Sequence, residues 1–360
     1  MNIGNLRDDE KGRLAQHPAT QPALIAELAK DKYWSIRMNA AGNLSCPADT
    51  LAALAADEFW MVRMVVVGNP RLPISALDDL ARDEQDRVRC AVAALARTPD
   101  RLLTQLAGDT NGDVCAAVAA NPSCSPALME EIANSGDEYL LSGLASNPAA
   151  SAELLATLLR DGSHEVRASI ASNRQCPEVL QHALVSDKHV EVRSALAANH
   201  SCLLACLEKL KADKEAAVRW MVAENPYASA TILSQLSLDK DIDVRRLVAA
   251  NQQTNLAVAA GLMLNDPDGV VRNAAHAGIQ QKNVTAGFGG GVSDEGVNLS
   301  MPLPGSRLGI TLGDALLQEG FTDLYQALQA AELAKIIDQP TSSEEAPVLT
   351  ALSRQVQFKL

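Results

Sequence analysis

Aromatic side chains are scarce in this chain, whose 360 residues include four Phe, four Tyr and three Trp. Apolar residues nevertheless make up 47% of the sequence. The core must therefore be filled by Leu, Val, Ile and Ala, which suit helices that pack close together. The few aromatic residues that remain gain significance, because the core does not depend on them.

Three further absences limit the function. No run approaches the roughly 18 apolar residues that a membrane span requires, and residues 1–20 are polar and charged. The formal net charge is −13, which disfavours non-specific binding of nucleic acid. The seven cysteines are odd in number and lack a disulfide-like spacing, which suits a reducing compartment. We expect a soluble cytoplasmic protein with no membrane partner.

The sequence is rich in one feature, a repeat with a period of about 26 residues that runs from about residue 20 to residue 280. One marker is an aliphatic residue followed by arginine, found in one phase at Ile36-Arg37, Val62-Arg63, Val88-Arg89, Val166-Arg167, Val192-Arg193, Val218-Arg219 and Val244-Arg245. Val114 and Leu140 fill the two intervening positions, and Val271-Arg272 follows one residue late. A fixed period of this size predicts a solenoid, in which each repeat buries its apolar face against its neighbours.

Each repeat contains the pattern of two helices. Leu51 and Leu54 represent an i, i+3 stripe that recurs in nearly every repeat and places both side chains on one face of a first helix. Val62, Val66 and Val67 represent the corresponding stripe of a second helix. The last position of that stripe is usually Ala, so we predict that the second helices pack most tightly.

The recurring polar residues have a structural interpretation. Asp precedes the arginine by six residues in eight repeats, and either its own arginine or that of a neighbouring repeat could bind it. Asn closes the second helix in eight repeats, as at Asn69, where its amide could bond to carbonyl groups left unpaired at a helix end. A catalytic group is needed only once, whereas these residues occur in series. We therefore assign no catalytic residue.

The pattern Leu-x-x-Leu-Ala-x-Asp-x-x-x-x-Val-Arg-x-x-Val-Ala-x-Asn-Pro, present with small departures at Leu51–Pro70, resembles the leucine-rich repeat variant family, a relative in style of HEAT-like arrays. The resemblance covers about 260 residues in ten repeats and implies a right-handed superhelix of paired helices, but no single activity. Some members carry an iron–sulfur cluster on cysteines that precede the repeats. Because the first cysteine here is Cys46, that feature is not carried over.

The aromatic residues suggest where a partner binds. Tyr33-Trp34 and Phe59-Trp60 are one repeat period apart, in loops where later repeats carry polar residues. They form either a partner-binding patch or a cap over the end of the stack, since terminal repeats must cover their outer face. Other candidates for partner binding follow the repeat arginine directly and are Met38, Met64 and Trp220.

The cysteines and histidines give a weaker signal. Cys176 and Cys202 share one phase of the repeat, and Cys206 lies one helical turn beyond Cys202. A zinc or cluster site needs three or four ligands at about 2.0 to 2.3 Å, so half-buried thiols are the preferred interpretation. His164 and His189 fall near the acidic loops without a defensible catalytic partner. We predict no metal and no cofactor.

After residue 283 the period ends. Glycines at 287 and 289–291 indicate a linker, and alternating apolar residues from Val297 to Leu312 predict a hairpin with a turn at Pro304–Ser306. Two helices, at residues 313–319 and 323–337, and a possible third strand with Val356, Phe358 and Leu360 would follow. Such a small module could dock on the solenoid or on a partner.

We therefore predict an all-α protein with about ten 26-residue repeats in a right-handed α-solenoid and a small α+β carboxy-terminal module. Its segments are a lead-in at 1–19, the repeats at 20–283, a Gly-rich linker at 284–296 and the module at 297–360. The leading functional hypothesis is a non-enzymatic scaffold or adaptor that binds protein partners. The alternatives are a HEAT-like groove that binds nucleic acid or modifies a substrate, and a metal or iron–sulfur carrier that uses Cys176, Cys202 and Cys206.

Overall fold

The computed structural model of the chain describes residues 6–285, 298–303 and 309–338. These residues form 23 α-helices, and no strand occurs among them. The chain divides into two compact units, Met1–Leu203 and Leu204–Leu360. Within each unit the repeats follow one another as pairs of short helices, which confirms the prediction of an all-α repeat fold.

The helices of the first unit are α1 (Asp8–Gln16), α2 (Pro22–Leu28), α3 (Trp34–Gly42), α4 (Ala48–Leu54), α5 (Trp60–Gly68), α6 (Leu77–Leu80, preceded by a 3-10 helix at Ile74–Ala76), α7 (Asp86–Ala94), α8 (Asp100–Ala107), α9 (Gly112–Ala119), α10 (Pro126–Ala133), α11 (Glu138–Ser146), α12 (Ala152–Asp161), α13 (His164–Ser172), α14 (Glu178–Leu184) and α15 (Val190–Ala198). Those of the second unit are α16 (Leu204–Leu210), α17 (Ala216–Glu224), α18 (Ala230–Leu236), α19 (Ile242–Ala250), α20 (Leu256–Asn265), α21 (Gly269–Thr285), α22 (Leu312–Gln318) and α23 (Thr322–Asp338).

Helices α4 and α5 show how one repeat forms. Pro47 stands at the amino-terminal cap of α4, and α5 ends at Gly68 because Asn69 is extended and Pro70 follows it. The leucine and valine stripes of the two helices are buried, as predicted. The second helices of consecutive repeats pack directly on one another, for example α3 on α5 and α5 on α7 in the first unit, and α17 on α19 in the second. The second helix is therefore the main contact between repeats.

The repeat arginines form a ladder of ion pairs. Arg37 donates to Asp57 of the next repeat from Nε at 2.6 Å and from Nη2 at 2.9 Å, and its Nη1 donates to the backbone carbonyl of Asp31 in its own repeat at 2.9 Å. Arg37 therefore links the loop of its own repeat to the aspartate of the next repeat. The same pairing, with Nε and Oδ2 2.6 Å apart, occurs in Arg63–Asp83, Arg89–Asp109, Arg167–Asp187, Arg219–Asp239 and Arg245–Asp266.

Helix α1 continues this ladder toward the amino terminus. Lys11 lies one repeat period before Arg37 and donates to Asp31 at 2.8 Å, so it takes the place of the ladder arginine. Helix α1 packs on α3, and Ala15 is fully buried. Part of the predicted lead-in is therefore a helix in the register of the repeats.

The asparagines form a second ladder. Asn147 is fully buried, and its Nδ2 donates to the carbonyl groups of Ala119 at 2.8 Å and Asn121 at 2.7 Å, both in the preceding repeat. Its Oδ1 accepts from the backbone N–H of Ala149 at 2.8 Å. The predicted role of Asn at helix ends is confirmed. The same bonds to the preceding repeat are made by Asn43, Asn69, Asn121, Asn173, Asn199 and Asn251.

The carboxy-terminal segment is mainly helical in its described part. Where a hairpin was predicted, the described residues contain one isolated antiparallel bridge, between Pro302 and Thr311, and the backbone N–H groups of Leu303 and Leu312 donate to the carbonyl groups of Ile310 and Met301, respectively. The two predicted helices are present as α22 and α23. Helix α22 packs on α20, whose residues 256–263 are all buried, so this segment covers the last repeat of the second unit.

Several predictions for this region lie outside the described residues. They are the glycine-rich stretch at 287–291, the turn at 304–306 and the third strand at 356–360. The predicted segment boundaries stay predictions. None of the helices in the described ranges is long and apolar enough to cross a membrane.

Candidate functional site

The ladder positions the aromatic residues of the first two loops. Tyr33 and Phe59 are the amino-terminal cap residues of α3 and α5. Their backbone N–H groups donate to Asp31 at 3.0 Å and to Asp57 at 2.9 Å, respectively. The ladder ion pairs fix both carboxylates. The hydrogen bonds to these carboxylates therefore fix the backbone at Tyr33 and Phe59.

Four aromatic side chains lie on these two loops, and two of them are in contact. The rings of Trp34 and Phe59 stack with centroids 4.5 Å apart and an interplanar angle of 22°. Tyr33 is 42% exposed and Trp34 is 36% exposed, whereas Phe59 and Trp60 are half-buried. We call these four residues the aromatic surface. The stack of Trp34 on Phe59 joins two neighbouring repeats.

Two cations lie against the aromatic surface. Lys32 Nζ is 4.8 Å from the ring centroid of Tyr33, and the Arg87 guanidinium is 5.4 Å from that of Trp60. Both distances allow a cation–π interaction. Glu58, which is largely exposed, accepts from Arg37 Nη2 at 3.1 Å. The surface therefore presents apolar rings together with charges of both signs.

The other three candidate residues differ in their surroundings. Met38 and Met64 are half-buried and follow the ladder arginines on α3 and α5. Trp220 belongs to the second unit, is half-buried, and donates from Nε1 to Asp241 at 2.8 Å. This hydrogen bond is the main reason why the pKa of Asp241 is lowered. Trp220 thus has an intramolecular contact, and partner binding by all seven residues stays a prediction.

The loops of later repeats are also joined by side chains, which the sequence analysis missed. Asn111 Nδ2 donates to Asp86 at 2.7 Å, and Tyr139 Oη donates to Asp113 at 2.6 Å. His164 and His189 stack with ring centroids 4.4 Å apart. These residues differ in type from one repeat to the next, so no consensus reveals them. Their spacing, close to one repeat period in each pair, is the signal that could have found them.

The charges of the ladder are neutralised within it. Burial acts to raise the pKa of Asp57, but the hydrogen bonds from Arg37 and from the N–H of Phe59 outweigh it and leave the pKa lowered. The hydrogen bond from Arg89 is the main cause that lowers the pKa of Asp109. The arginine side chains of the six bidentate pairs are only 6% to 15% exposed. They face carboxylates and not solvent.

The cysteines have the character of buried thiols. Burial raises the pKa of Cys46 and of Cys124 to about 11, so both are neutral at physiological pH. Cys176, Cys202 and Cys206 are buried as well. Within the described residues, the group of three potential metal ligands with neighbouring ligand atoms contains no cysteine and consists of His164, His189 and Glu191.

Neither a family model nor a curated protein sequence matches the chain. Among solved structures, one similar protein is a leucine-rich repeat variant with a novel repetitive structural motif. The identity is 26%, the match covers 61% of this chain and 87% of the other, and the TM-score is 0.36. The repeat fold itself therefore rests on the helices and ladders of this chain, and the resemblance to HEAT-like arrays stays a prediction.

Proposed function

We propose that the chain is a non-enzymatic scaffold or adaptor that holds a protein partner on the aromatic surface, with the carboxy-terminal module as a second contact. The proposal rests on a difference between the recurring polar residues and the aromatic residues of the first repeats. The recurring Asp, Arg and Asn join one repeat to the next, whereas Tyr33 and Trp34 remain exposed. Exposed Tyr and Trp supply large contact areas and are enriched in protein interfaces.

The position of α1 supports partner binding over capping. Terminal repeats of a solenoid need a cover for their outer face. Helix α1 packs on α3, Lys11 completes the ion pair with Asp31, and Asn43 bonds to the carbonyl of Ala15 at 2.8 Å. These contacts cover the outer side of α3, so the aromatic surface is not needed for that purpose.

The alternative function, a basic groove that binds nucleic acid, would need cations that are not already paired with carboxylates. The ladder arginines are the recurring cations of the sequence, and six of them bind a carboxylate in bidentate fashion. A nucleic-acid groove would have to bind phosphates with other cations, and the net charge of −13 would oppose that binding. The observations therefore favour a protein partner.

The proposal is tested by quantitative affinity capture from the native host with the full chain and with the Trp34→Ala/Trp60→Ala variant. Tyr227→Ala is the matched control, since Tyr227 is 64% exposed and lies in the second unit. We expect at least about a tenfold loss of captured partner for the double variant, because truncation of a hot-spot residue, a class enriched in Trp, costs about 2 kcal/mol or more. The control should capture the wild-type amount.

The captured partner is then purified and its affinity for the three proteins is measured. Loss of the Trp34–Phe59 stack is expected to lower stability by about 0.5 to 1.5 kcal/mol, so circular dichroism at the assay temperature must show an unchanged helical content. Equal affinity of the folded double variant and the wild type would exclude the aromatic surface as the binding site.

A further inference from the structure

We propose that His164, His189 and Glu191 form a binding site for a divalent transition-metal ion of the Zn²⁺ class. One ligand atom from each residue lies within 4.8 Å of the other two. Two imidazole nitrogens and one carboxylate oxygen are a ligand set that zinc adopts in proteins, with water in the remaining position. The site lies in the first unit, and none of its three residues belongs to the aromatic surface.

The backbone presents the two histidines from neighbouring repeats. His164 is the first residue of α13, and His189 is the amino-terminal cap residue of α15. These two second helices pack on each other. The spacing of the two histidines is one residue short of the repeat period, and their rings stack at 4.4 Å with an interplanar angle of 13°. The two imidazoles are therefore neighbours before an ion binds, and the rings must tilt out of the stack so that both can point a nitrogen at one ion.

Carboxylates surround the two rings. His164 Nδ1 is 3.1 Å from Glu165 Oε2, and His189 Nδ1 is 3.9 Å from Glu191 Oε2. A carboxylate that accepts from one ring nitrogen orients the imidazole and makes its other nitrogen a better ligand, a role that Glu165 can take for His164, whereas Glu191 is itself one of the proposed ligands. The histidine side chains are 38% and 36% exposed, so an ion can reach them. The site thus combines three candidate ligands with one orienting carboxylate, Glu165.

The ladder does not depend on the histidine pair. Between the same two repeats, Arg167 donates to Asp187 at 2.6 and 3.1 Å, and Asn199 donates to the carbonyl groups of Ala171 and Asn173. The repeats are thus joined here by the bonds that join them elsewhere. An ion held by His164 and His189 would add a further link across this junction.

The nature of the ligands selects the class of ion. Imidazole suits Zn²⁺, Co²⁺, Ni²⁺ and Cu²⁺, whereas Mg²⁺ and Ca²⁺ require oxygen ligands. In a tetrahedral zinc site with bonds of about 2.0 to 2.1 Å, neighbouring ligand atoms are about 3.4 Å apart. The ligand atoms, now within 4.8 Å of one another, must therefore approach by up to about 1.4 Å, which requires rotation of the partly exposed side chains.

Isothermal titration of the chelator-treated, reduced full chain with ZnCl₂ tests the site. The chain is compared with His164→Ala/His189→Ala, with Glu191→Gln, and with His182→Ala, which removes an exposed histidine of α14 as the matched control. We expect one Zn²⁺ site in the wild type and in the control, no such site in the double histidine variant, and at least about tenfold weaker binding by Glu191→Gln. MgCl₂ should give no binding.

Titration with Co²⁺ separates this site from the cysteines. Ligation by histidine and carboxylate gives d–d absorption without a thiolate charge-transfer band. Circular dichroism confirms that the variants are folded, as expected for exposed positions. The proposal is overturned if the wild type binds no Zn²⁺ at micromolar concentrations, if the double variant binds as tightly as the wild type, or if a thiolate band accompanies Co²⁺ binding.

Discussion

At the scale of single residues, the ladder shows why its two partners belong together. Arg63 and Asp83 have side chains only 10% and 6% exposed, and the guanidinium donates to both carboxylate oxygens at 2.6 and 2.7 Å. A buried charge without its partner is strongly destabilising, whereas loss of both charges is much less so. At one junction both partners are replaced together, since Cys115 stands in the arginine position and Ser135 in the next aspartate position.

We predict that Asp83→Ser lowers the free energy of unfolding by up to about 3 to 5 kcal/mol, because it leaves the largely buried Arg63 guanidinium with only the exposed Glu84 carboxylate, 3.6 Å away, as a counter-charge. The double variant Arg63→Cys/Asp83→Ser, which copies the Cys115 and Ser135 pair, should be more stable than Asp83→Ser alone. Urea unfolding followed by circular dichroism measures both. If the double variant is less stable than the single one, the cost arises from lost packing and not from an unpaired charge.

The asparagine ladder also shows a local replacement. Its position at 95 holds Leu, and Arg97 supplies the missing donors. The Arg97 guanidinium donates to the carbonyl groups of Leu72 at 2.7 Å and of Asn69 at 2.8 Å. The carbonyl of Asn69 is one that an asparagine at 95 would have bonded by the rule of the ladder. A residue outside the consensus therefore replaces one of the two bonds that an asparagine would make at this junction.

At the scale of the helices, close packing of the second helices depends on small residues at particular points. Gly143 on α11 faces α9 so closely that a Cβ atom would lie 2.8 Å from the carbonyl oxygen of Ala116 and 3.1 Å from Ala119 Cβ. Gly68, at the end of α5, has no heavy atom within 4 Å of such a position. A larger residue would therefore clash at position 143 but not at position 68.

We predict that Gly143→Ala destabilises the protein by about 1 to 3 kcal/mol, because α11 must move away from α9 to accept one methyl group. Gly68→Ala is the matched control and should change stability by less than about 1 kcal/mol, in the stabilising direction, because Ala favours the helix. Thermal unfolding of both variants tests the difference. An equal response would show that α9 and α11 do not limit each other's approach.

The period made the helices and their core faces predictable, because each repeat supplied an independent copy of one pattern. The direction of the ladder was not predictable, since Asp31 and Asp57 are both within reach of Arg37 by sequence alone. The helical nature of α1 was missed because Lys11 replaces the marker arginine. The contacts of Trp34 with Phe59 and of Trp60 with Arg87 depend on side-chain rotamers, which no consensus specifies.

At the scale of the whole molecule, each unit has a helix outside the recognised repeats that covers a repeat. Helix α1 packs on α3 in the first unit, and α22 packs on α20 in the second. Phe321, which directly precedes α23, is 8% exposed and lies 5.0 Å from the ring of His276 on α21. A solenoid buries apolar area only between neighbours, so the outermost repeats need such covers.

The ladder also makes stability depend on pH across the molecule. Hydrogen bonds from ladder arginines and from loop N–H groups outweigh burial and lower the pKa of several ladder carboxyls, among them Asp57, Asp187, Asp239 and Asp266. In the unfolded chain an Asp titrates near about pH 3.9. Below that pH the unfolded state therefore binds more protons than the folded state, and acid favours unfolding.

We predict that the melting temperature stays nearly constant from pH 7 to about pH 5 and falls steeply as the pH drops toward about 3, through the lowered pKa values of the folded state. The Asp57→Asn variant should be less stable at neutral pH but lose less stability between about pH 5 and pH 3, because one linked carboxyl is absent. Calorimetry of both proteins at several pH values measures this. Each ladder carboxyl contributes separately to the pH dependence. A single substitution should therefore make the melting temperature fall less steeply with decreasing pH, without abolishing the fall. An unchanged melting temperature at about pH 3 would contradict the assignment of the ladder as the main electrostatic link between repeats.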